Sequence, residues 1–225
     1  MTRRLAAEFL GSALLTAIVV GSGIAAQRLS PGDVGLQLFE NAFATALGLA
    51  VLILLFASIS GAHFNPVVSL VDGATGGRPW LQVVAYIPAQ IIGCIAGAIL
   101  ANLMFAAPAV SWSTTDRLTP AHFLGEVVAT AGLTLVIFLL ANTPRAGYIP
   151  LAVGAYIGSA YFFTSSASFA NPAITIGRMF TDSFAGIAPS SAPGYLLAQL
   201  LGGAVGLALV VLFTGRRGTK DTPAS

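Results

Sequence analysis

Six long apolar runs are the feature that most limits how this chain can fold. They lie at about 5–27, 39–60, 81–105, 121–142, 147–165 and 193–214. Each can cross a bilayer, because about 20 apolar residues in an α-helix span a hydrocarbon core of about 30 Å. Only 8% of the residues are charged, against about 25% in soluble domains, so the chain cannot cover a water-facing surface. The sequence therefore predicts an all-α membrane protein with six transmembrane helices.

Two further apolar segments, at about 65–74 and 171–181, are too short to cross. Ten helical residues reach only about 15 Å, half of the membrane. Each segment opens on an Asn-Pro pair, Asn65-Pro66 and Asn171-Pro172. Proline favours the first helical position and Asn is a good N-cap through its side-chain oxygen. These pairs predict two half-helices, each with an Asn side-chain amide left free to donate a hydrogen bond.

Three landmarks occur in the same order in each half of the chain. They are a Glu inside a span, the Asn-Pro pair and an Ala-Gln pair: Glu8, Asn65 and Gln90 in the first half, and Glu126, Asn171 and Gln199 in the second. Each half, about 5–108 and 120–214, contains three spans, an odd number, so the second half is inverted relative to the first. We expect residues 1–225 to form one transmembrane channel domain built from this inverted repeat.

Inversion places the starts of the two half-helices together near the bilayer centre. Each start carries about half a positive charge from the helix dipole. A permeating oxygen would accept from the amides of Asn65 and Asn171, whereas cations would meet an electrostatic barrier. The pattern favours a passive pore for small, mostly uncharged molecules. An ion-coupled secondary transporter is the alternative, because such proteins also use inverted repeats with broken helices.

The two buried acids have two interpretations. Ionisable groups inside spans are costly and usually functional, so Glu8 and Glu126 could relay protons. The favoured interpretation is structural: their carboxylates accept from backbone N–H groups of the non-helical loops beside the half-helices. Gln90 and Gln199 are expected to support the same loops. The sequence shows no catalytic cluster and no metal-ligand spacing, and it has one cysteine, so neither an enzyme nor a cofactor is predicted.

The basic residues predict the orientation. Seven lie on the side that would hold the termini and three on the other: Arg3, Arg4, Arg78, Arg145, Arg216, Arg217 and Lys220 against Arg28, Arg117 and Arg178. Cytoplasmic loops are enriched in Lys and Arg, so both termini are expected in the cytoplasm. The net charge of +2 is too small to suggest a nucleic-acid partner.

The run Ser60-Gly61-Ala62-His63-Phe64-Asn65-Pro66, together with Asn171-Pro172-Ala173, resembles the major intrinsic protein family of aquaporins and aquaglyceroporins. The resemblance covers nearly the whole chain and departs mildly at Val67, where the family usually has Ala. It implies a multi-pass protein of the bilayer, a homotetramer with one pore per subunit, and water and small neutral solutes as partners. It also implies that His63 lines the cytoplasmic half of the pore.

A second departure from the family falls at the outer constriction. The resemblance assigns this selectivity filter to Thr45, Ser159, the backbone near Ser168, and position 174, where the family normally has Arg and this chain has Ile174. We expect a wider constriction without a fixed positive charge or an aromatic ring, tolerant of weak anions. In the alternative interpretation, the long side chain of Arg178 reaches the outer mouth and fills the space around Ile174.

The segment from Asn171 to Arg178 is similar to a bacterial subgroup encoded with arsenic-resistance genes. Those members have an aliphatic residue where the family's Arg would be. This similarity suggests permeation of arsenite or organoarsenicals across the inner (cytoplasmic) membrane. Glycerol, urea, hydrogen peroxide and ammonia remain open as solutes.

Overall fold

The computed structural model describes residues 1–214, so the predictions for Arg216, Arg217 and Lys220 lie outside the described residues. Within 1–214 the chain forms eight α-helices: α1 (Thr2–Leu29), α2 (Val34–Ser60), α3 (Pro66–Ala74), α4 (Trp80–Met104), α5 (Pro120–Ala141), α6 (Ile149–Phe163), α7 (Pro172–Gly177) and α8 (Ala192–Thr214). Single 3-10 turns, Ala146–Tyr148 and Arg178–Phe180, precede α6 and follow α7. Six helical segments of the described chain are long and apolar enough to cross a membrane, with α6 counted together with its preceding 3-10 turn as Ala146–Phe163. This confirms the predicted six spans and two half-helices.

Local chemistry explains where several helices begin and end. The Asp33 side chain accepts from the Leu36 N–H at the start of α2, and the Thr119 side chain accepts from the His122 N–H at the start of α5. These bonds satisfy backbone donors that have no partner within the first helical turn. Helix α2 ends at Gly61, whose φ of +95° suits glycine. The loop that leads to the first half-helix therefore begins at a defined helix stop.

The packing of the helices repeats between the two halves. In the first half α1 packs against α2 and α4, and in the second half α5 packs against α6 and α8. Contacts between α2 and α6 join the halves, and each half-helix packs against both α4 and α8. The fold is thus the predicted inverted repeat, with α3 and α7 enclosed by the long helices.

Glycines permit the closest helix contacts at equivalent places in the two halves. A Cβ atom on Gly97 of α4 would overlap the carbonyl oxygen of Ala13 in α1. A Cβ atom on Gly206 of α8 would lie 2.6 Å from the Cβ of Thr134 in α5. Small residues at such crossings let transmembrane helices approach closely. Both halves depend on this approach for the contacts of their first and last long helices.

Substituting Gly97 by Ala should destabilise the bundle. The added methyl group meets backbone, which cannot rotate away as a side chain can, so we expect a loss of about 1–3 kcal/mol. The thermal unfolding midpoint of the purified protein in detergent measures the effect. Gly147→Ala is the matched control, because nothing lies within 4 Å of a Cβ atom there. Equal midpoints for the two variants would contradict the requirement for close α1–α4 approach.

Candidate functional site: a pore between two half-helices

Asn65 and Asn171 cap the two half-helices in the same way. The side-chain oxygen of Asn65 accepts from the Val67 N–H at 2.9 Å, and that of Asn171 accepts from the Ala173 N–H at 3.0 Å. A proline follows each Asn at the first helical position, where its missing N–H leaves no donor unpaired. The same two side chains therefore start α3 and α7.

The side-chain nitrogens of these asparagines reach across to the opposite half. Asn65 Nδ2 donates to the Ala170 carbonyl at 2.8 Å, and Asn171 Nδ2 donates to the Phe64 carbonyl at 2.8 Å. The exchange is reciprocal, as a two-fold relation between the halves requires. A side-chain amide has two N–H donors, so one donor of each Asn is used in this contact and the other remains. Each amide thus donates away from its own half-helix, with one N–H directed to the opposite half.

The loops that precede the half-helices adopt a strained backbone at matching positions. Ala62 and Phe64 have φ values of +51° and +49°, and Ser168 and Ala170 have φ values of +46° and +48°. The left-handed region costs a residue with a side chain about 1–2 kcal/mol. The carbonyls of Phe64 and Ala170 are the acceptors for the two asparagines. The strained positions thus belong to the junction between the halves.

Glu8 holds the first of these loops. One carboxylate oxygen accepts from the Ser60 hydroxyl at 2.6 Å and the His63 N–H at 3.0 Å. The other accepts from the Phe64 N–H and the Gln90 side-chain nitrogen, both at 2.8 Å. An ionised carboxylate only accepts hydrogen bonds, and four donors point at this one. The contacts are those of a structural acid that satisfies buried loop backbone.

Glu126 makes the equivalent set of contacts in the second half. One oxygen accepts from the Ser166 hydroxyl at 2.7 Å and the Phe169 N–H at 2.8 Å. The other accepts from the Ala170 N–H at 2.8 Å and the Gln199 side-chain nitrogen at 2.7 Å. Glu126 is fully buried. Four donors on a fully enclosed side chain favour loop support over proton transfer.

Each Gln links its Glu to the adjacent half-helix. The Gln90 nitrogen also donates to the Ser69 hydroxyl at 3.0 Å, and the Gln199 nitrogen donates to the Thr175 hydroxyl at 2.8 Å. Ser69 and Thr175 are each four residues beyond the capping Asn. The buried Glu, the loop and the half-helix are thereby connected as one unit in each half.

A narrow cavity of about 60 Å³ lies against both asparagines. A cavity needs about 10–15 Å³ to hold one water molecule, so this one has room for a few molecules of that size. Its wall is mainly aliphatic and includes Leu15, Val19, Leu49, Ile53, Val68 and Leu133. Of the residues expected at the pore, six line it: Thr45, His63, Asn65, Ser168, Asn171 and Ile174.

Ser159 does not line the cavity, which corrects its assignment to the filter. Its side chain is exposed and donates to the Tyr156 carbonyl of its own helix at 2.8 Å. Val153, Ile157 and Tyr161 of α6 line the cavity instead. These three recur every four residues and share one helix face, whereas Ser159 lies two residues off that face. A fixed distance before Asn171, which pointed to Ser159, does not take this helical periodicity into account.

Tyr161 brings an aromatic ring to the cavity wall, where the sequence analysis expected none. Its hydroxyl donates to the Thr45 hydroxyl at 3.3 Å, and both side chains are buried. The ring therefore narrows the cavity beside Thr45.

Arg178 supplies a guanidinium to the same cavity, so the expected absence of a fixed positive charge is wrong. Its side chain is 3% exposed, lines the cavity, and donates from Nε to the Ala185 carbonyl. The guanidinium carbon lies 3.4 Å from the centroid of the Phe169 ring. The residue sits one helical turn beyond Ile174, and its length brings the charge back to the wall. The alternative interpretation of Arg178 matches this placement.

The cavity meets a wide vestibule at the end of the bundle where α1 begins and α8 ends, called here the terminal end. The vestibule has a volume of about 1010 Å³ and is lined by Thr214 of α8 and by His63, Asp72 and Arg78, among others. Asp72 Oδ2 lies 3.2 Å from His63 Nε2 and 3.0 Å from Arg78 Nε. No motif predicted a role for Asp72, although a lone acid in a half-helix is a signal of such a pairing.

Loop residues at the opposite end are polar and held by hydrogen bonds. The Ser191 hydroxyl, together with the N–H groups of Leu118 and Arg117, lowers the pKa of the exposed Asp116 carboxyl below its ordinary value. The same Ser191 oxygen accepts from the Arg117 N–H at 2.9 Å. This network fixes the segment between α4 and α5 over the opposite mouth.

Two half-helices that meet at reciprocal asparagines beside a narrow cavity define a membrane channel. The chain belongs to the major intrinsic protein family, whose model matches residues 1–168. Members of this family are channels, and the protein is an aquaglyceroporin-type channel and not an enzyme.

Related proteins agree with this assignment. The chain is 46% identical over 210 residues to "Aquaglyceroporin AqpS" of Rhizobium meliloti (strain 1021), covering 93% of this chain and 89% of that protein. It is 31% identical to the "Glycerol uptake facilitator protein" of Streptococcus pneumoniae (strain ATCC BAA-255 / R6), covering 94% of this chain and 98% of the relative. The X-ray structure of the aquaglyceroporin from Plasmodium falciparum has a TM-score of 0.69 at 22% identity, with 94% of each chain covered. That structure shares the fold.

Proposed function

We propose that this protein is a passive channel for water and small uncharged solutes such as glycerol. The observation that carries the proposal is the pair of crossed asparagine contacts beside a cavity with an apolar wall. One donor of Asn65 and one of Asn171 remain for a solute oxygen. The names of the aquaglyceroporin and glycerol facilitator relatives support glycerol as one solute.

The pore would select by hydrogen bonding and by charge. A solute that leaves water regains hydrogen bonds at the two asparagines, while the aliphatic residues of the wall offer none. The N-termini of α3 and α7 each place about half a positive charge beside this point. A cation would therefore be repelled at the point where a neutral solute finds donors. The positive ends of half-helix dipoles exclude cations from other selective pores in the same way.

Arsenite and organoarsenicals belong to the same proposal. The run from Asn171 to Arg178, with Ile174 in place of Arg, supports them through its similarity to the subgroup encoded with arsenic-resistance genes. Neutral arsenite presents hydroxyl groups, as glycerol does, so the same donors can serve both. Thr45, Ser168 and Ile174 would form the filter together with Tyr161 and Arg178, which share their cavity wall.

We further propose a homotetramer in the inner membrane, one domain per chain, with both termini in the cytoplasm. Arg3, Arg4, Arg78 and Arg145 support this orientation within the described residues. The terminal end would then be cytoplasmic and the end near Arg178 external. Light scattering coupled to size-exclusion chromatography tests the tetramer, and labelling of a cysteine added before residue 3 in intact cells tests the orientation.

Solute flux into liposomes tests the channel. Vesicles containing the protein should re-equilibrate faster than empty vesicles under water, glycerol and urea gradients, and they should take up arsenite. Flux should be independent of imposed proton and sodium gradients, since the gradient of the solute itself drives passive permeation. Uptake that requires such a gradient would favour a secondary transporter over a channel.

Ile174→Arg should narrow the filter further. The new side chain enters a wall that already contains Arg178, so we expect glycerol flux to fall at least about tenfold while water flux falls less, because loss of fit acts on the larger solute. Stopped-flow light scattering on the same vesicles measures both rates. Ile174→Val is the control and should retain the native ratio. Equal losses for water and glycerol would remove Ile174 from the filter.

A further inference from the structure

We infer that Arg178 binds the acceptor oxygen of each permeating solute and excludes cations from the pore, with Arg117 adding a second positive charge. The inference rests on the proposed channel function and goes beyond it by naming the solute class. That class is molecules that present oxygen acceptors, including small oxyanions, as opposed to protonated amines.

The geometry of Arg178 leaves most of its donors for a solute. A guanidinium has five N–H donors. Within residues 1–214 it makes one hydrogen bond to protein, from Nε to the Ala185 carbonyl, while the Phe169 ring covers one face of the group. The side chain is held on two sides and still lines the cavity. Its terminal nitrogens are therefore fixed donors at the pore wall.

Within residues 1–214, no carboxylate lies at ion-pair distance from the Arg178 guanidinium. In the described part of the chain, both ion pairs use Asp72, which lies in the vestibule at the terminal end. Glu126, the acid of the same half, is occupied by four donors from its loop and from Gln199. A buried charge without a paired carboxylate repels other cations more strongly than a neutralised one.

Arg117 places a second cation on the same aromatic ring. Its guanidinium carbon is 5.6 Å from the Phe169 centroid. The group is anchored by bonds from Nε to the Gly186 carbonyl at 2.6 Å and from Nη2 to the Phe184 carbonyl at 2.7 Å. These carbonyl partners fix the position of the charge without cancelling it. Two guanidinium groups thus lie close to the same Phe169 ring, and one of them, that of Arg178, belongs to a residue of the cavity wall.

The neighbouring polar groups also present donors. The Thr45 oxygen accepts from the Tyr161 hydroxyl, which leaves the Thr45 hydrogen available. The Ser168 hydroxyl is buried and has no hydrogen-bond partner within the described residues. Ile174, the remaining neighbour, is apolar. A solute at this point therefore binds best if it supplies acceptors, and a protonated amine supplies only donors.

Flux of three probes through liposomes tests the inference. Glycerol is the neutral probe, formate the anion and methylammonium the cation, all at neutral pH. The native protein should pass glycerol, and it should pass formate faster than methylammonium. Arg178→Leu should raise the ratio of methylammonium to formate flux at least about tenfold, since the buried positive charge repels the cation and attracts the anion at the same point. Arg178→Lys keeps the charge and should keep the native ratio within about threefold.

Arg28→Leu is the matched control. Arg28 also stacks on an aromatic ring, with its guanidinium carbon 5.2 Å from the Phe105 centroid, and it donates to the Phe105 carbonyl at 2.6 Å. It lies outside the pore wall, beside a separate crevice that includes Asn102 and Asp182. This variant removes a similar cation from outside the pore and should keep the native ratio.

The outcomes separate the two claims. If Arg178→Leu is not recovered as a folded protein, Arg178→Gln, which is also neutral but longer and polar, takes its place with the same expectation. A native ratio in the folded neutral variant overturns the role of Arg178 while glycerol flux still supports the channel. Absence of glycerol flux from the native protein overturns the channel and this inference together.

Discussion

Replacing Glu126 by Gln is expected to destabilise the protein severely. The amide would present an NH₂ group where two donors now meet a carboxylate oxygen. A buried donor without a partner costs about 1–3 kcal/mol, so two such donors cost about 2–6 kcal/mol. The strained backbone at Ala170, which has a φ of +48°, would also lose the N–H contact that holds it.

Thermal unfolding in detergent measures this loss, with folded yield as a second readout. Glu8→Gln should behave in the same way, because Glu8 accepts the same number of bonds in the first half. Glu40→Gln is the control: the Glu40 carboxylate accepts one bond, from the Ser30 hydroxyl at 2.8 Å, and it lies away from both loops. If Glu126→Gln unfolds no earlier than Glu40→Gln, the carboxylates do not hold the loops.

Replacing Asn171 by Asp is expected to open the pore to protons. Aspartate can still accept the Ala173 N–H, but it cannot donate to the Phe64 carbonyl. The nearby helix N-termini stabilise the ionised form, and its charge offsets the roughly half charges that each dipole places there. The barrier against cations falls with that positive potential. We expect proton flux to rise at least about tenfold, on the scale of about 1.4 kcal/mol per tenfold change.

A pH-sensitive dye trapped in liposomes measures this leak after a pH jump. Asn102→Asp provides the control, since Asn102 is also buried and donates to two carbonyls, of Ala109 at 3.2 Å and Phe180 at 3.0 Å. It lies outside the pore, so Asp there should leave proton flux at the native level. Equal flux in native and Asn171→Asp vesicles would show that the dipoles at the asparagines are not the barrier.

The fold follows from sequence signals that act locally. Apolar runs of membrane length set the six spans, and a capping Asn followed by proline sets the start of each half-helix. The repeated order of Glu, Asn and Gln was enough to predict inversion, because it depends only on order and on an odd number of spans. Two boundaries are imprecise: the second span was predicted from about 39, whereas α2 begins at Val34, and the second half-helix is shorter than predicted. It was expected to run to 181, but α7 ends at Gly177 and continues as a 3-10 turn.

The residues of the filter were harder to predict from the sequence, because a long side chain can reach the pore wall from a position several residues away. Position 174 is aliphatic, and the sequence alone does not show that Arg178 returns a charge to the wall. Ser159 was chosen by distance from Asn171, although the spacing of Val153, Ile157 and Tyr161 marks the lining face. The hydrogen bond from each asparagine amide to the opposite half was also not predicted, since its acceptor is a carbonyl far away in the chain. For Asn65 the acceptor lies 105 residues further on.

The crossed bonds of Asn65 and Asn171 have a consequence for biogenesis. Helices α1 to α4 are synthesised before residue 170. Asn65 therefore has no Ala170 carbonyl to bind while the first half enters the membrane. The first half-helix can therefore be capped and pack against α4 early, but its crossed bond forms only after the second loop is made. The final depth of α3 in the bilayer is therefore set late in synthesis. In a chain truncated before residue 170, α3 would lack the contact to Ala170 that fixes its N-terminus.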